Sequence, residues 1–146
     1  CHAKVNPPIR SREDVEYLWQ ALLEGNLDWV VSDHACCSEE LKTDHQDHQD
    51  DDNIWVSKSG FGGTEYLLSG LVSEGSQRGM SYNRMAELVC WNPAQRYGLL
   101  HKGDVAVGYD ADILVLDDAL TPDSVISRGK PAMIANERHL RGTFED

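Results

Sequence analysis

The apolar run Trp29-Val30-Val31 stops abruptly on Ser32-Asp33-His34 and then two thiols, Cys36 and Cys37. No other stretch narrows the choice of fold so sharply. A short, continuous, β-branched run reads as a strand buried on both faces, so 29–32 is expected to be a strand. A helix signal lies directly before it. Ser11 stands as N-cap with Asp14 at the third helical position, as in a capping box. Val15, Leu18, Trp19, Leu22 and Leu23 recur at the spacings of one helical face, and Gly25 ends the helix. Asn26-Leu27-Asp28 is a tight connection into the strand. Upstream, Asn6-Pro7-Pro8 can continue neither a helix nor a central strand and reads as a rigid loop. Loop, amphipathic helix, tight turn and buried strand form the repeating unit of an α/β fold with parallel strands. In barrels of such strands, the rim at their C-terminal ends holds the active site. On residue types alone Asp33 has two readings. It is a metal-binding carboxylate at such a rim, or it opens a loop together with His34.

Residues 34–63 are expected to form one long loop. Within it, Asp44-His45-Gln46-Asp47-His48-Gln49-Asp50 is a low-complexity near-repeat whose composition predicts a solvated segment. Its two histidines are weak metal-ligand candidates, because nothing apolar nearby would hold them rigid. Gly60-Phe61-Gly62-Gly63 closes the loop. Its glycines bring backbone amides close to a ligand or simply allow a tight turn.

Thr64 is expected to begin a helix with Leu67, Leu68, Leu71 and Val72 on its apolar side, broken by Gly75 and Gly79. Ser81 caps the next helix, with Tyr82, Met85, Leu88 and Val89 facing inward. Asn92 is expected to cap a third, with Pro93 in its first turn, Gln95 reaching back and Gly98 as its stop. From Lys102 the pattern becomes turns and short strands. Gly103-Asp104 and Gly108-Tyr109-Asp110 are turns, and 113–116 is a strand. Residues 125–127 and 132–135 are expected to pair across Arg128-Gly129-Lys130-Pro131. So small a β unit wants further strands to cover its faces.

The formal charge of −12, from 25 acidic against 13 basic residues, argues against nucleic acid and anionic membrane as partners. No run of about 20 apolar residues is present, so neither a membrane span nor a signal peptide is expected. The cysteines Cys1, Cys36, Cys37 and Cys90 match no secreted disulfide framework, which favours a reducing, cytoplasmic setting. A small zinc module built from His34, Cys36, Cys37, His45 and His48 is a weaker reading, because tight zinc sites prefer separated Cys or His pairs.

Taken in order, Val5-Asn6-Pro7-Pro8-Ile9-Arg10, Ser32-Asp33-His34, Gly62-Gly63, Trp91-Asn92-Pro93-Ala94, Lys102-Gly103 and Gly108-Tyr109-Asp110-Ala111-Asp112 resemble the C-terminal part of the cyclic amidohydrolases. That family includes allantoinase, dihydroorotase and the hydantoinases. The similarity runs to about Asp117. Dihydroorotases usually carry a second histidine four residues after the aspartate, where this chain has Cys37. Ser32-Asp33-His34 with Cys37, and Glu40-Leu41-Lys42 beyond, are more similar to allantoinases. The tail from Arg128 looks more like that of isoaspartyl dipeptidase-type relatives.

The resemblance implies an α/β fold, the C-terminal portion of a metal-dependent (β/α)8 TIM barrel plus part of a small β-sandwich. Residues 1–100 would be the end of the barrel from about strand seven, and 101–146 part of the sandwich. It implies a hydrolase cleaving a cyclic amide C–N bond, allantoinase-like. The alternatives are dihydroorotase or hydantoinase/dihydropyrimidinase activity, or a non-catalytic dihydropyrimidinase-related scaffold. The implied cofactor is a divalent metal centre, binuclear zinc, whose other ligands lie outside this chain. The resemblance gives Asp33 a double part, as metal ligand and as catalytic general base and acid. Asn6 and the backbone of Gly62 and Gly63 would hold a small cyclic amide or ureide. Cys36 and Cys37 would line the pocket or bind zinc. His34 would orient Asp33 from behind or pack in the loop. The isolated 146-residue chain is expected to be inactive, since one ligand cannot hold two metals, and the full-length protein is expected to form homo-oligomers.

Overall fold

The computed structural model describes residues 3–36, 42, 54–55, 57–117 and 122–132. Helix α1 (Arg12–Leu23) starts where the capping box places it. The Ser11 hydroxyl accepts from the Asp14 N–H, and the Asp14 carboxylate accepts from the Ser11 N–H. It stops at Gly25, whose φ of 81° suits a residue without a Cβ. Asn26 N–H then reaches back to Ala21 O at 2.9 Å, which closes a Schellman motif. Helix α2 (Thr64–Gln77) ends the same way, with Gly79 at φ 77° and Met80 N–H on Gly75 O.

Gly75 does not break α2, contrary to expectation. It lies buried inside the helix, where a Cβ would meet the Met85 methyl at 2.9 Å. That methyl is the flexible end of a side chain from the following helix, so the position is closely packed without demanding glycine. That helix, α3 (Tyr82–Ala86), is capped by the Ser81 hydroxyl accepting from Arg84 N–H at 3.2 Å. It then runs without interruption through a π-helical turn (Glu87–Trp91) into α4 (Asn92–Arg96). Asn92 is therefore not a cap. It sits in helical conformation with φ −61°, and its N–H goes to Glu87 O in an i→i−5 bond. Pro93 supplies the reason. It has no N–H for the carbonyl four residues back, and its ring would clash there. A widened turn accommodates both demands. Gly98, at φ 68°, closes this helix, with Leu99 N–H on Ala94 O.

Leu22, Leu71, Val72, Met80, Met85 and Leu88 form the core, flanked by Trp19, Leu27, Val30, Leu68 and Val89. Leu88 is completely buried. Arg78 clamps α2 to α1, bonding Glu74 and Glu16 and lying 4.7 Å from the Trp19 ring centroid.

Two expectations about burial fail. Of the α1 face only Leu22 is buried, while Val15, Leu18 and Leu23 are exposed. Tyr82 is exposed as well. Residues 29–32 take no strand assignment. A strand needs a neighbour to complete its ladder, and among the described residues none lies alongside. Val30 N–H goes instead to Leu88 O at 3.2 Å.

Strands β1 (Ile113–Leu116), β2 (Pro122–Ser127) and β3 (Lys130–Ala132) make one antiparallel sheet in that order. The β2–β3 turn is two residues, not four. Arg128 and Gly129 both have positive φ, 48° and 72°, and Ser127 pairs with Lys130. Two consecutive left-handed residues match the twist of the flanking strands. No described helix is long and apolar enough to cross a membrane.

Candidate functional site

Three separate stretches of chain meet around Gly60 and Phe61. The Gly60 N–H donates to Lys4 O at 3.0 Å, and Ala35 N–H donates to Phe61 O at 2.7 Å. Lys4 Nζ donates to Ser57 O at 2.7 Å, and Lys42 Nζ donates to Lys4 O at 3.3 Å while lying 4.2 Å from the centre of the Phe61 ring. Gly60 has φ 107°, and a Cβ there would fall 2.5 Å from the Ala35 Cβ. Only glycine allows the 34–36 segment and the 57–61 segment to approach so closely. The Asn6–Pro7 peptide bond, just after Lys4, is cis.

Asp33 lies at the start of this junction. It is exposed and has φ 48°, a left-handed conformation that aspartate tolerates better than most residues. His34 follows, and its Nδ1 accepts from Gly63 N–H at 3.1 Å and from Thr64 N–H at 3.4 Å. Ser32 and Thr64 hydroxyls lie 3.4 Å apart. The structure thus brings Asp33, His34, Gly62 and Gly63 into one neighbourhood, tied to the segment that carries Asn6. Asn6 itself is exposed. Cys37, the near-repeat at 44–52, Cys1 and the tail beyond Ala132 lie outside the described residues. Cys36 and Cys90 are free thiols, both exposed.

Among the described residues no group of three or more His, Cys, Asp or Glu side chains is arranged to hold a metal ion. An aspartate oxygen suits a divalent cation as one ligand of several. The His34 Nδ1 lone pair is already engaged by two backbone donors.

Sequence reasoning passed over two features. The Asn92 amide, read as a cap, donates to Asp28 O at 2.6 Å and so fixes the connection that leads to Asp33. Lys102, which entered only as part of the Lys102-Gly103 motif, bonds Asp110 at 2.9 Å and also Asp112. The other Asp112 oxygen accepts from Arg128 N–H at 2.7 Å, which joins the sheet to the chain leaving α4. Gly103 packs beneath α4, where a Cβ would lie 2.7 Å from the Ala94 Cβ. The ordered Lys-Gly and Gly-x-Asp-x-Asp pattern was the available signal, and its content is this ion cluster.

Comparison with known proteins supplies the frame for this geometry. The amidohydrolase family model matches residues 7–138. An allantoinase of Rubrobacter xylanophilus is 40% identical over 116 residues, covering 79% of this chain and 24% of that protein. Among solved structures, a D-hydantoinase from Bacillus sp. AR9 superposes with TM-score 0.79 at 26% identity, over 88% of this chain and 33% of that one. A D-hydantoinase (dihydropyrimidinase) from Thermus sp. gives TM-score 0.78 at 25% identity, over 89% of this chain and 33% of that one. The chain therefore spans about a quarter of the length of the curated relatives it matches. Its described part is built of mixed helix and strand in the manner of the hydantoinases, and the chain belongs to the amidohydrolase family.

Proposed function

We propose that this chain is the C-terminal part of a metal-dependent cyclic amidohydrolase, allantoinase-like, that opens a small cyclic amide or ureide at a C–N bond. Residues 1–100 would then be the last strands and helices of a (β/α)8 barrel, with 29–32 becoming its eighth strand once parallel neighbours lie beside it. Residues 101–146 would be part of a small β-sandwich, for which the three-stranded sheet is the support. The observation that carries the reading is the junction itself. Asp33 stands exposed at the end of a helix–turn–extended segment, and the Gly60-Phe61-Gly62-Gly63 loop is bonded to the residues just after it.

Asp33 would serve as one ligand of a binuclear divalent centre, zinc by the family resemblance, whose other ligands are contributed by polypeptide outside this chain. Such a centre, when bound, lowers the pKa of water enough to provide a nucleophile at neutral pH. The Asp33 carboxylate would accept the proton that this water sheds as it adds to the ring carbonyl. It would then return that proton to the ring nitrogen as the C–N bond breaks. Asn6 and the amides of Gly62 and Gly63 would hold the ring through hydrogen bonds, and Cys37 would line its pocket. A net charge of −12 fits a small-molecule substrate better than nucleic acid or an anionic membrane. The free cysteines support a reducing, cytoplasmic setting, and a homo-oligomer is the proposed state.

The test is turnover by the purified full-length protein of allantoin, hydantoin, dihydrouracil and dihydroorotate, with metal content measured in parallel. Ring opening of allantoin with two bound metals per chain is expected. Preferred opening of another ring would move the substrate assignment within the family. A full-length protein that binds no metal and opens none of the rings would make it a non-catalytic relative and overturn the proposal.

A further inference from the structure

We propose that His34 is a positioning residue and not a metal ligand. Through its Nδ1 it locks the Gly62-Gly63 loop and the first turn of α2 to the backbone of Asp33. The proposal rests on the reading of Asp33 as a metal-binding carboxylate.

Gly63 N–H and Thr64 N–H both point at His34 Nδ1, at 3.1 and 3.4 Å. Two donors on one ring nitrogen require its lone pair, so the ring proton sits on Nε2. Ligation through Nδ1 would break both bonds. Ligation through Nε2 would move the proton to Nδ1, where it would face two N–H groups. Neither nitrogen is available to a metal without dismantling the loop.

The need for the lock is local. A helix N-terminus leaves its first N–H groups without intrahelical partners, and a side chain at the N-cap usually accepts from one of them. The N-cap of α2 is Gly63, which has no side chain and makes no such bond. The His34 imidazole instead accepts from the N–H groups of Gly63 and Thr64 at this helix start. Two more ties reinforce it, Ala35 N–H on Phe61 O at 2.7 Å and the Ser32–Thr64 hydroxyl pair at 3.4 Å. The residues flanking Asp33 on both sides therefore bond to the loop and the helix start. The Asp33 backbone and the loop amides are thereby held together, which fixes the point from which the carboxylate reaches the substrate's ring.

The lock makes a demand on side-chain shape that a ligand or a space-filling residue would not. Asparagine places Oδ1 where His34 Nδ1 lies, while glutamine places its acceptor one atom farther out. In the full-length protein, His34→Asn is expected to keep wild-type metal content, kcat within about threefold, and slow exchange of the Gly63 and Thr64 amides. His34→Gln and His34→Ala are expected to speed exchange at those two amides, raise KM, and lower kcat about 10–100-fold, the usual cost of losing an orienting partner. Loss of one metal equivalent in both the Asn and Gln variants, with exchange unchanged, would assign His34 as a ligand and overturn the proposal. Unchanged exchange in all three variants, or an Asn variant that behaves like Ala, would overturn it too. Amide exchange needs neither metal nor substrate. An inactive, metal-free wild type would therefore count against the proposed hydrolase while the exchange comparison still judged the lock.

Discussion

The side-chain amide of Asn92 donates to the backbone carbonyl of Asp28 at 2.6 Å, across 64 positions of sequence. The bond joins the widened helical turn at Pro93 to the connection that delivers Asp33. Replacing Asn92 by alanine hands that exposed carbonyl to water, which costs about 0.5–1.5 kcal/mol. Asn92→Asp should cost more, because a carboxylate oxygen would face the carbonyl oxygen where an N–H now points. Urea unfolding of the full-length protein checks the order wild type, Asn92→Ala, Asn92→Asp. An aspartate variant as stable as wild type would count against this bond.

Gly60 and Gly25 separate two costs that positive φ can carry. Gly25 sits at φ 81° in open space, so Gly25→Ala should pay only for a left-handed backbone, about 1–2 kcal/mol. Gly60 sits at φ 107° with the Ala35 Cβ 2.5 Å from where its own Cβ would be. Neither side of that contact is a flexible side-chain end, so Gly60→Ala must move backbone next to Asp33. The expected outcome is a larger loss of stability than for Gly25→Ala, on the order of 3 kcal/mol, accompanied by reduced activity. Paired thermal melts and activity assays of the two variants provide the comparison.

The Lys102 cluster gives a pH signature with a defined sign. Its hydrogen bond from Lys102, and then the one from Arg128 N–H, hold the Asp112 carboxyl below its ordinary value of 3.8. A depressed carboxylate contributes stability above the unfolded-state value and loses it as pH falls through the folded one. Hydrogen bonds to Asp112 and Asp110 raise the Lys102 ammonium above 10.5, so its share is complete below 10.5 and disappears as pH rises through the folded value. The contribution should therefore be present from mildly acidic to mildly alkaline pH and fade in strong acid and strong base. Both groups are solvent-exposed, so the effect should also shrink with added salt. Lys102→Met should bring the unfolding midpoint closer to wild type in acid, well below the ordinary carboxylate value of 3.8, than at neutral pH.

Local chemistry was legible in the sequence, and relations between distant segments were not. The Ser11–Asp14 box and the Gly25, Gly79 and Gly98 stops each depend on a few adjacent residues, and the structure has them as read. Gly75 carries the same residue type as those stops but lies buried inside a helix and, unlike them, does not take a positive φ. Asn92-Pro93 has the composition of a helix start, yet the chain was already helical and absorbed the proline by widening. The exposed α1 face and the unpaired 29–32 segment show the same limit. Periodicity tells which side of an element is apolar and leaves open what covers it. At the candidate site the ordered motifs pointed to Asp33, Gly62 and Gly63, and the geometry placed the segments that carry them together. The link between them, His34 Nδ1 on two amides, has no sequence signature, because histidine there is equally compatible with packing, ligation or accepting a bond.

Asp33 itself provides the most direct test of the proposed chemistry. Its side chain is exposed and none of the core packs on it. Asp33→Asn keeps the size and the tolerance for φ 48° but removes the negative charge and the capacity to accept and return a proton. In the full-length protein this variant should melt within about 1 kcal/mol of wild type, as surface changes usually do. It should lose about 10²–10⁴-fold in kcat from the proton transfer alone, and more if the metal is lost. Asp33→Glu should recover little, because one extra methylene moves the carboxylate off a position set by backbone ties on both sides. Melting curves, metal content and single-turnover rates on the same preparations would separate the possibilities. An Asp33→Asn protein that keeps both its metal and more than about a tenth of wild-type turnover would remove Asp33 from the chemistry.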